Sequence, residues 1–218
     1  YWANNYKLIQ VDTVDNHNLS TDLVNRIKKK VKDTKSKAVI FSDFRHGIFN
    51  RENIESISEK IKKNVMKIAD SQVSNRWGNI LDYKKFDLIL PNEKEARFAL
   101  ADQDIPLRQL GTNLINKSKS KFLILKLGSK GIMVFRKKGL YVREFFPIET
   151  FAENIVDGVG AGDAMLAGSS MGLICSKNIL ISSIIGNAAA ALVCKKNGNN
   201  PISTRELISI IKKISTTV

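Results

Sequence analysis

Apolar residues recur along the 218-residue chain with two alternating spacings. Tyr6–Val11 alternates like a strand, and short apolar runs at Ala38–Phe41, Val65–Ala69 and Phe86–Leu90 predict further strands. Between them lie helical spacings, one opened by Asn50 and reaching about Lys63, then Glu93–Ala101 and Pro106–Lys117. Phe122–Leu127, a turn at Gly128–Gly131 and a return at Ile132–Phe135 read as a strand pair. A third strand, Tyr141–Phe146, follows the Lys137-Lys138-Gly139 turn. Three helices close the chain, the last opened by a capping box of Ser203 and Glu206. Strands alternating with helices predict an α/β fold, a doubly wound and mostly parallel sheet covered on both faces, with ligands gathered at the carboxyl ends of its strands.

Those ends carry the polar residues. One strand delivers Ser42, Asp43, Phe44, Arg45, His46 and Gly47, and the next delivers Asp70, Ser71 and Gln72. Two later strand ends deliver Asn92 with Glu95 and Gly128 with Gly131. The most informative stretch is Asp157-Gly158-Val159-Gly160-Ala161-Gly162-Asp163, which runs into an apolar helix. Its glycines let backbone amides converge where a helix turns its positive end, so an anion is expected there. Asp163, in the first turn of that helix, is placed to accept a proton from an alcohol attacking a phosphoryl group. The plainer reading of Asp163 is a partner for the helix dipole. The stretch is neither a dinucleotide fingerprint nor a Walker loop.

Composition narrows the class. Hydrophobic content of 43% and charged content of 26% are those of a globular protein, and no apolar run is long enough to span a bilayer. A cytoplasmic location with no membrane partner is expected. The net charge of +14 is spread as lysine pairs and triplets such as Lys28-Lys29-Lys30 and Lys62-Lys63 on helical faces, with no interleaved aromatics, so nucleic acid is not expected as a partner. Cys175 and Cys194 fall in apolar helical patterns and are expected to be buried thiols.

In order and spacing these motifs resemble the ribokinase-like, or PfkB, family of sugar kinases. The family's Asp-Thr-x-Gly-Ala-Gly-Asp is matched by Asp157–Asp163 with Gly158 in place of Thr. Its Asn-x-x-Glu is matched by Asn92 and Glu95. Its Gly-x-x-Gly turn is matched by Gly128 and Gly131, with Lys126 where Thr is common, and its Asn-Ala pair by Asn187-Ala188. Within the family the likeness is greatest to heptose 7-phosphate kinases, whose Ser-Asp-Tyr-x-Lys-Gly corresponds to Ser42–Gly47. His46 replaces a lysine of that branch, and Asp70-Ser71-Gln72 replaces an Asp-Pro-Lys, while Arg45 and Arg76 are available as replacement charge.

The resemblance implies a remnant of a β lid over residues 1–14 and a kinase domain over 15–218 that lacks its amino-terminal strands. It implies an ATP-dependent kinase acting on a sugar or sugar phosphate, with magnesium as cofactor and potassium as a further one. The alternative is a weakly catalytic nucleotide-binding scaffold for a fused nucleotidylyltransferase; that fused domain and a homodimer are the implied partners. Asp163 is the implied general base, and Gly160, Ala161 and Gly162 the anion hole. Asn92 and Glu95 stand by the nucleotide, Glu95 holding magnesium through water, with a helix cap as the plainer reading. Gly128 and Gly131 let the backbone approach the nucleotide or simply make a hairpin. Asn187 faces the nucleotide or makes a helix-packing hydrogen bond. Asp43, Arg45 and His46 belong to the acceptor side, with a satisfied structural histidine as the equal alternative for His46, and Asp157 orders the glycine loop or a monovalent cation. Trp2 and Trp77 are expected to pack.

Overall fold

The computed structural model describes residues 2–3, 6–9, 11, 13, 17–72, 79–139, 141–198 and 200–217. Arg76 and Trp77 lie outside them. Near the start, β1 (Trp2–Ala3) and β2 (Tyr6–Lys7) form a small antiparallel pair. Leu8, Ile9 and Val11, expected to continue that strand, are exposed and outside any strand.

A six-stranded sheet organises the rest, built from β3 (Ala38–Asp43), β4 (Met66–Ser71), β5 (Leu88–Ile89), β6 (Phe122–Lys126), β7 (Ile132–Lys138) and β8 (Tyr141–Ile148) in that spatial order. Neighbours from β3 to β6 pair in parallel, and β7 and β8 pair antiparallel at one edge. Alternate residues of the parallel strands point to opposite faces, and each face has its own core. Phe41, Ala69, Ile89, Leu123 and Leu125 pack under α2 (Arg51–Ser58) and α4 (Leu107–Ser118). Ile68, Leu88, Leu90 and Ile124 pack under α5 (Ala161–Ser176) and α6 (Ile179–Cys194). The expected α/β sheet covered on both faces is therefore present. Because the strands follow one another in chain order, the second face is covered by the closing helices rather than by crossovers.

Local chemistry fixes the elements. The first long helix, α1 (Thr21–Lys32), is capped by Ser20, whose side chain accepts from Leu23 N, and its Val24, Ile27 and Val31 lean on the first core. Asn50 and Asn53 cap α2 reciprocally. That helix stops at Ser58, short of Lys63. Lys60 N and Ile61 N bond three residues back, to Ile57 O and Ser58 O, and this tighter turn carries Ile61 into the core. Lys62-Lys63 consequently lie beyond the helix. The two apolar closing helices approach closely, and a Cβ on Gly172 would come within 2.8 Å of Ser182 Cα. Cys175 is exposed and Cys194 half-buried, contrary to expectation, because both sit in the last turns of helices that are apolar all round and whose pattern does not tell which side faces out. The last helix, α7 (Thr204–Thr217), begins with the expected box, in which Ser203 N donates to Glu206 Oε2 and Glu206 N to Ser203 Oγ. No helix among the described residues is long and apolar enough to cross a membrane.

Candidate active site

The carboxyl ends of β4, β5 and β6 open into a cavity of about 560 Å³, closed on its far side by the start of α5 and by α6. Asn92, Glu95, Gly128, Gly131, Gly160, Ala161, Gly162, Asp163 and Asn187 all line it. Residues separated by up to 95 positions in the chain are thereby brought to one space, as the strand-end argument requires.

Gly160 stands at φ 82°, the left-handed conformation that glycine tolerates, and caps α5 without a side chain in the way. The loop leading to it is stitched down. Asp157 Oδ1 accepts from Val159 N at 3.0 Å, Asp157 Oδ2 accepts from Gly198 N at 3.0 Å, and Val156 N donates to Cys194 O at 2.8 Å. Asp157 thus orders the glycine loop, one of its two expected roles. Beyond Gly160 the Ala161 amide donates to Gly158 O at 3.2 Å, the amides of Gly162 and Asp163 have no intrahelical acceptor, and Asp163 stands exposed in that first turn beside the cavity. Burial, followed by the Asp157 charge, pushes the Cys194 thiol up, which keeps it protonated on the cavity wall.

Asn92 and Glu95 form a reciprocal cap at α3 (Glu93–Leu100). Asn92 N and Nδ2 donate to Glu95 Oε2 and Oε1 at 2.7 and 2.6 Å, and Glu95 N donates to Asn92 Oδ1 at 2.8 Å. The cap reading is correct, yet Glu95 is buried and lines the cavity rather than the surface. Gly131, at φ 85°, closes a 3₁₀ turn over Gly128–Lys130, and a Cβ there would collide with Ile148 O. Asn187 Nδ2 donates to Glu149 O at 2.7 Å, the packing hydrogen bond, while the residue still lines the cavity.

Two further cavity residues form an ion pair; in the sequence Lys126 showed only as a departure from a motif and Asp70 only as a strand-end acid. Lys126, at the end of β6, reaches Asp70, at the end of β4, with Nζ 2.6 Å from Oδ2. Burial pushes the Asp70 carboxyl above the usual carboxylate range, against the pull of Lys126. Among the described residues its other oxygen, Oδ1, is buried without a hydrogen-bond partner.

Asp43, Arg45 and His46 do not line the cavity. Asp43 Oδ1 accepts from Arg45 N at 2.9 Å, and Oδ2 accepts from Tyr83 Oη at 2.8 Å and Ser71 Oγ at 3.2 Å, with Arg45 Nε also 3.2 Å away. Burial and the Asp43 charge hold the Tyr83 phenol well above its usual range, so it stays a donor. His46 is exposed, its ring parallel to Phe44 at a centroid distance of 6.4 Å.

Magnesium can be tested against these donors. Among the described residues no three His, Cys, Asp or Glu side chains form a metal cage. Both oxygens of Glu95 already accept hydrogen bonds from Asn92. The set fits an ion that keeps its waters and is bound through phosphates, the habit of magnesium in phosphoryl transfer, with the buried Asp70 Oδ1 as a further acceptor in the wall.

The sequence matches the pfkB family of carbohydrate kinases over residues 15–205, and the chain belongs to that family. Among curated relatives it is similar to the bifunctional protein HldE of Campylobacter curvus, 28% identical over 199 residues, covering 89% of this chain and 40% of the relative. HldE of Campylobacter jejuni is 29% identical over 220 residues, covering 95% and 44%. The chain therefore spans less than half the length of these relatives. In fold it is similar to phosphofructokinase-2 from Escherichia coli in complex with potassium, with a TM-score of 0.76 at 18% identity, covering 91% of this chain and 64% of that one. The ribokinase of Thermotoga maritima gives a TM-score of 0.68 at 21% identity, covering 90% and 62%.

Proposed function

We propose that this chain is the kinase portion of an enzyme that moves the terminal phosphoryl group of ATP to a hydroxyl of a sugar phosphate of the heptose 7-phosphate class. The observation that carries the reading is the single cavity shared by the Asn92–Glu95 cap and the Gly160–Asp163 cradle. Asp163 Oδ takes the proton of the attacking hydroxyl as the oxygen–phosphorus bond forms and the bond to the ADP leaving group breaks. Amides at the start of α5 hold the developing charge on the transferring group, where preorganised donors act most strongly. Magnesium, when bound, neutralises phosphate charge; Glu95 would hold it through water, with Asp70 beside it. Gly128 and Gly131 leave the nucleotide room against the backbone, and the buried Asn187 amide braces α6 behind it.

On the acceptor side, His46 is the exposed member of its group, and Arg45 carries a buried Nη2 with no hydrogen-bond partner among the described residues. The heptose class is drawn from the likeness of Ser42–Gly47 to heptose 7-phosphate kinases, and the name of the HldE relatives as bifunctional proteins suggests a second, fused activity. A potassium ion by the Asp157 loop joins the proposal because a structural neighbour is solved in complex with potassium. One observation favours a nucleotide-binding scaffold instead, namely that Asp43 is fully engaged by protein donors. Incubating the complete protein with ATP, magnesium and heptose 7-phosphate, and following phosphorus resonances, separates the two. A new sugar bisphosphate is expected; ATP binding with no transfer to any sugar phosphate would favour the scaffold.

A further inference from the structure

Lys126 interrupts an apolar strand end with a cation. Its backbone is fixed, since Lys126 N donates to Pro91 O at 2.9 Å and the residue bridges in parallel with Asn92. Its side chain is only 15% exposed and lines the cavity, and among the described residues its Nζ has one acceptor, Asp70 Oδ2. An ammonium has three N–H groups, so two are unused. Across the space from it lies the cradle: a Cβ built on Gly162 would find Lys126 Nζ, at 3.8 Å, as its nearest neighbour. Glycine at 162 thus leaves a gap bounded on one side by helix amides and on the other by a half-buried ammonium. An anion filling that gap is bound by both at once.

We propose that Lys126 is a phosphate-binding cation of this cavity, held by Asp70 at the mouth of the Gly160–Gly162 cradle so that its remaining N–H groups take the terminal phosphoryl oxygens of a bound triphosphate. The proposal rests on the nucleotide reading given above. It assigns the pair two tasks. Asp70 fixes where the ammonium stands, and Lys126 adds positive charge to a cradle otherwise made of neutral amides. A merely structural ion pair would leave discrimination between ATP and ADP unchanged, whereas a cation aimed at the terminal phosphate sets it.

Calorimetric titration of ATP, ADP and inorganic tripolyphosphate into the parent chain and Lys126→Met tests this. Loss of charge-assisted hydrogen bonds weakens ATP and tripolyphosphate on the order of tenfold to a hundredfold, and ADP far less. Unchanged ATP and tripolyphosphate binding in Lys126→Met overturns the assignment and leaves the kinase reading standing. If the parent binds ATP no better than tripolyphosphate and the substitution weakens both, Lys126 stands and the nucleotide reading falls. A folded parent that binds neither ends both. Removing the lysine alone strands the Asp70 charge. Should that unfold the chain, Lys126→Met combined with Asp70→Asn is compared with Asp70→Asn alone, and equal tripolyphosphate binding by the two overturns the proposal.

Discussion

Two aspartates at the same edge of the sheet have opposite surroundings. Asp163 stands exposed in the first turn of α5, beside a cavity. Asp43, at the end of β3, is 3% exposed and accepts from the Arg45 amide, Tyr83 and Ser71. Residue type and strand-end position are alike, and what differs is whether protein donors already occupy the carboxylate. A carboxylate that is to receive a substrate proton needs a free lone pair, whereas one surrounded by protein donors holds the fold together.

The sharpest way to break that contrast is to remove each acid in turn. In Asp163→Asn, kcat is expected to fall about a hundredfold to ten-thousandfold while the melting temperature hardly moves, because general-base loss acts on the transition state alone. Turnover at the parent rate would remove Asp163 from the chemistry. In Asp43→Ala, the buried Arg45 guanidinium loses its counter-ion and Tyr83 its acceptor, so urea denaturation should show a loss of about 3–5 kcal/mol. A variant that keeps full stability yet no longer phosphorylates sugar would place Asp43 with the substrate and erase the distinction.

A third acid, remote from the cavity lining, sets the lower end of the scale. Glu206 is held at about 2 by hydrogen bonds from Lys196 and then from Ser203, below its ordinary 4.5. A carboxyl lowered in the folded state stabilises above its unfolded value and loses that contribution as pH falls through the folded one, so the cap of α7 should weaken between pH 4.5 and about 2. Protection of the α7 amides, taken relative to the intrinsic exchange rate at each pH, should fall as pH drops through that window in the parent and stay level in Glu206→Gln. An identical profile in both would mean that another group titrates there.

What could be read from the sequence was what neighbouring residues decide among themselves. The capping pairs Asn92–Glu95 and Ser203–Glu206 lie three residues apart, and the glycine run before α5 announces its own turn. Two-faced packing followed from the alternation of strand and helix periodicities, whereas the order of the strands in the sheet did not. What could not be read was set by partners far along the chain. Lys126 meets Asp70 across 56 positions, and Tyr83 meets Asp43 across 40. The sides of Cys175 and Cys194 were hidden for another reason, since a helix apolar all round carries no polar face to orient it. The end of α2 was missed because Ile61 continues the apolar spacing while its backbone has already turned.

The Asp157 contacts bear on how this chain can be altered. Gly198 sits in a surface turn after α6 that would attract a designer looking for a place to insert a tag or a reporter. Its amide nevertheless anchors Asp157, and Cys194 O just before it anchors Val156, so the turn is the outer fastening of the glycine loop. Lengthening it would loosen the cradle from behind, through the backbone, with every residue that lines the cavity still in place.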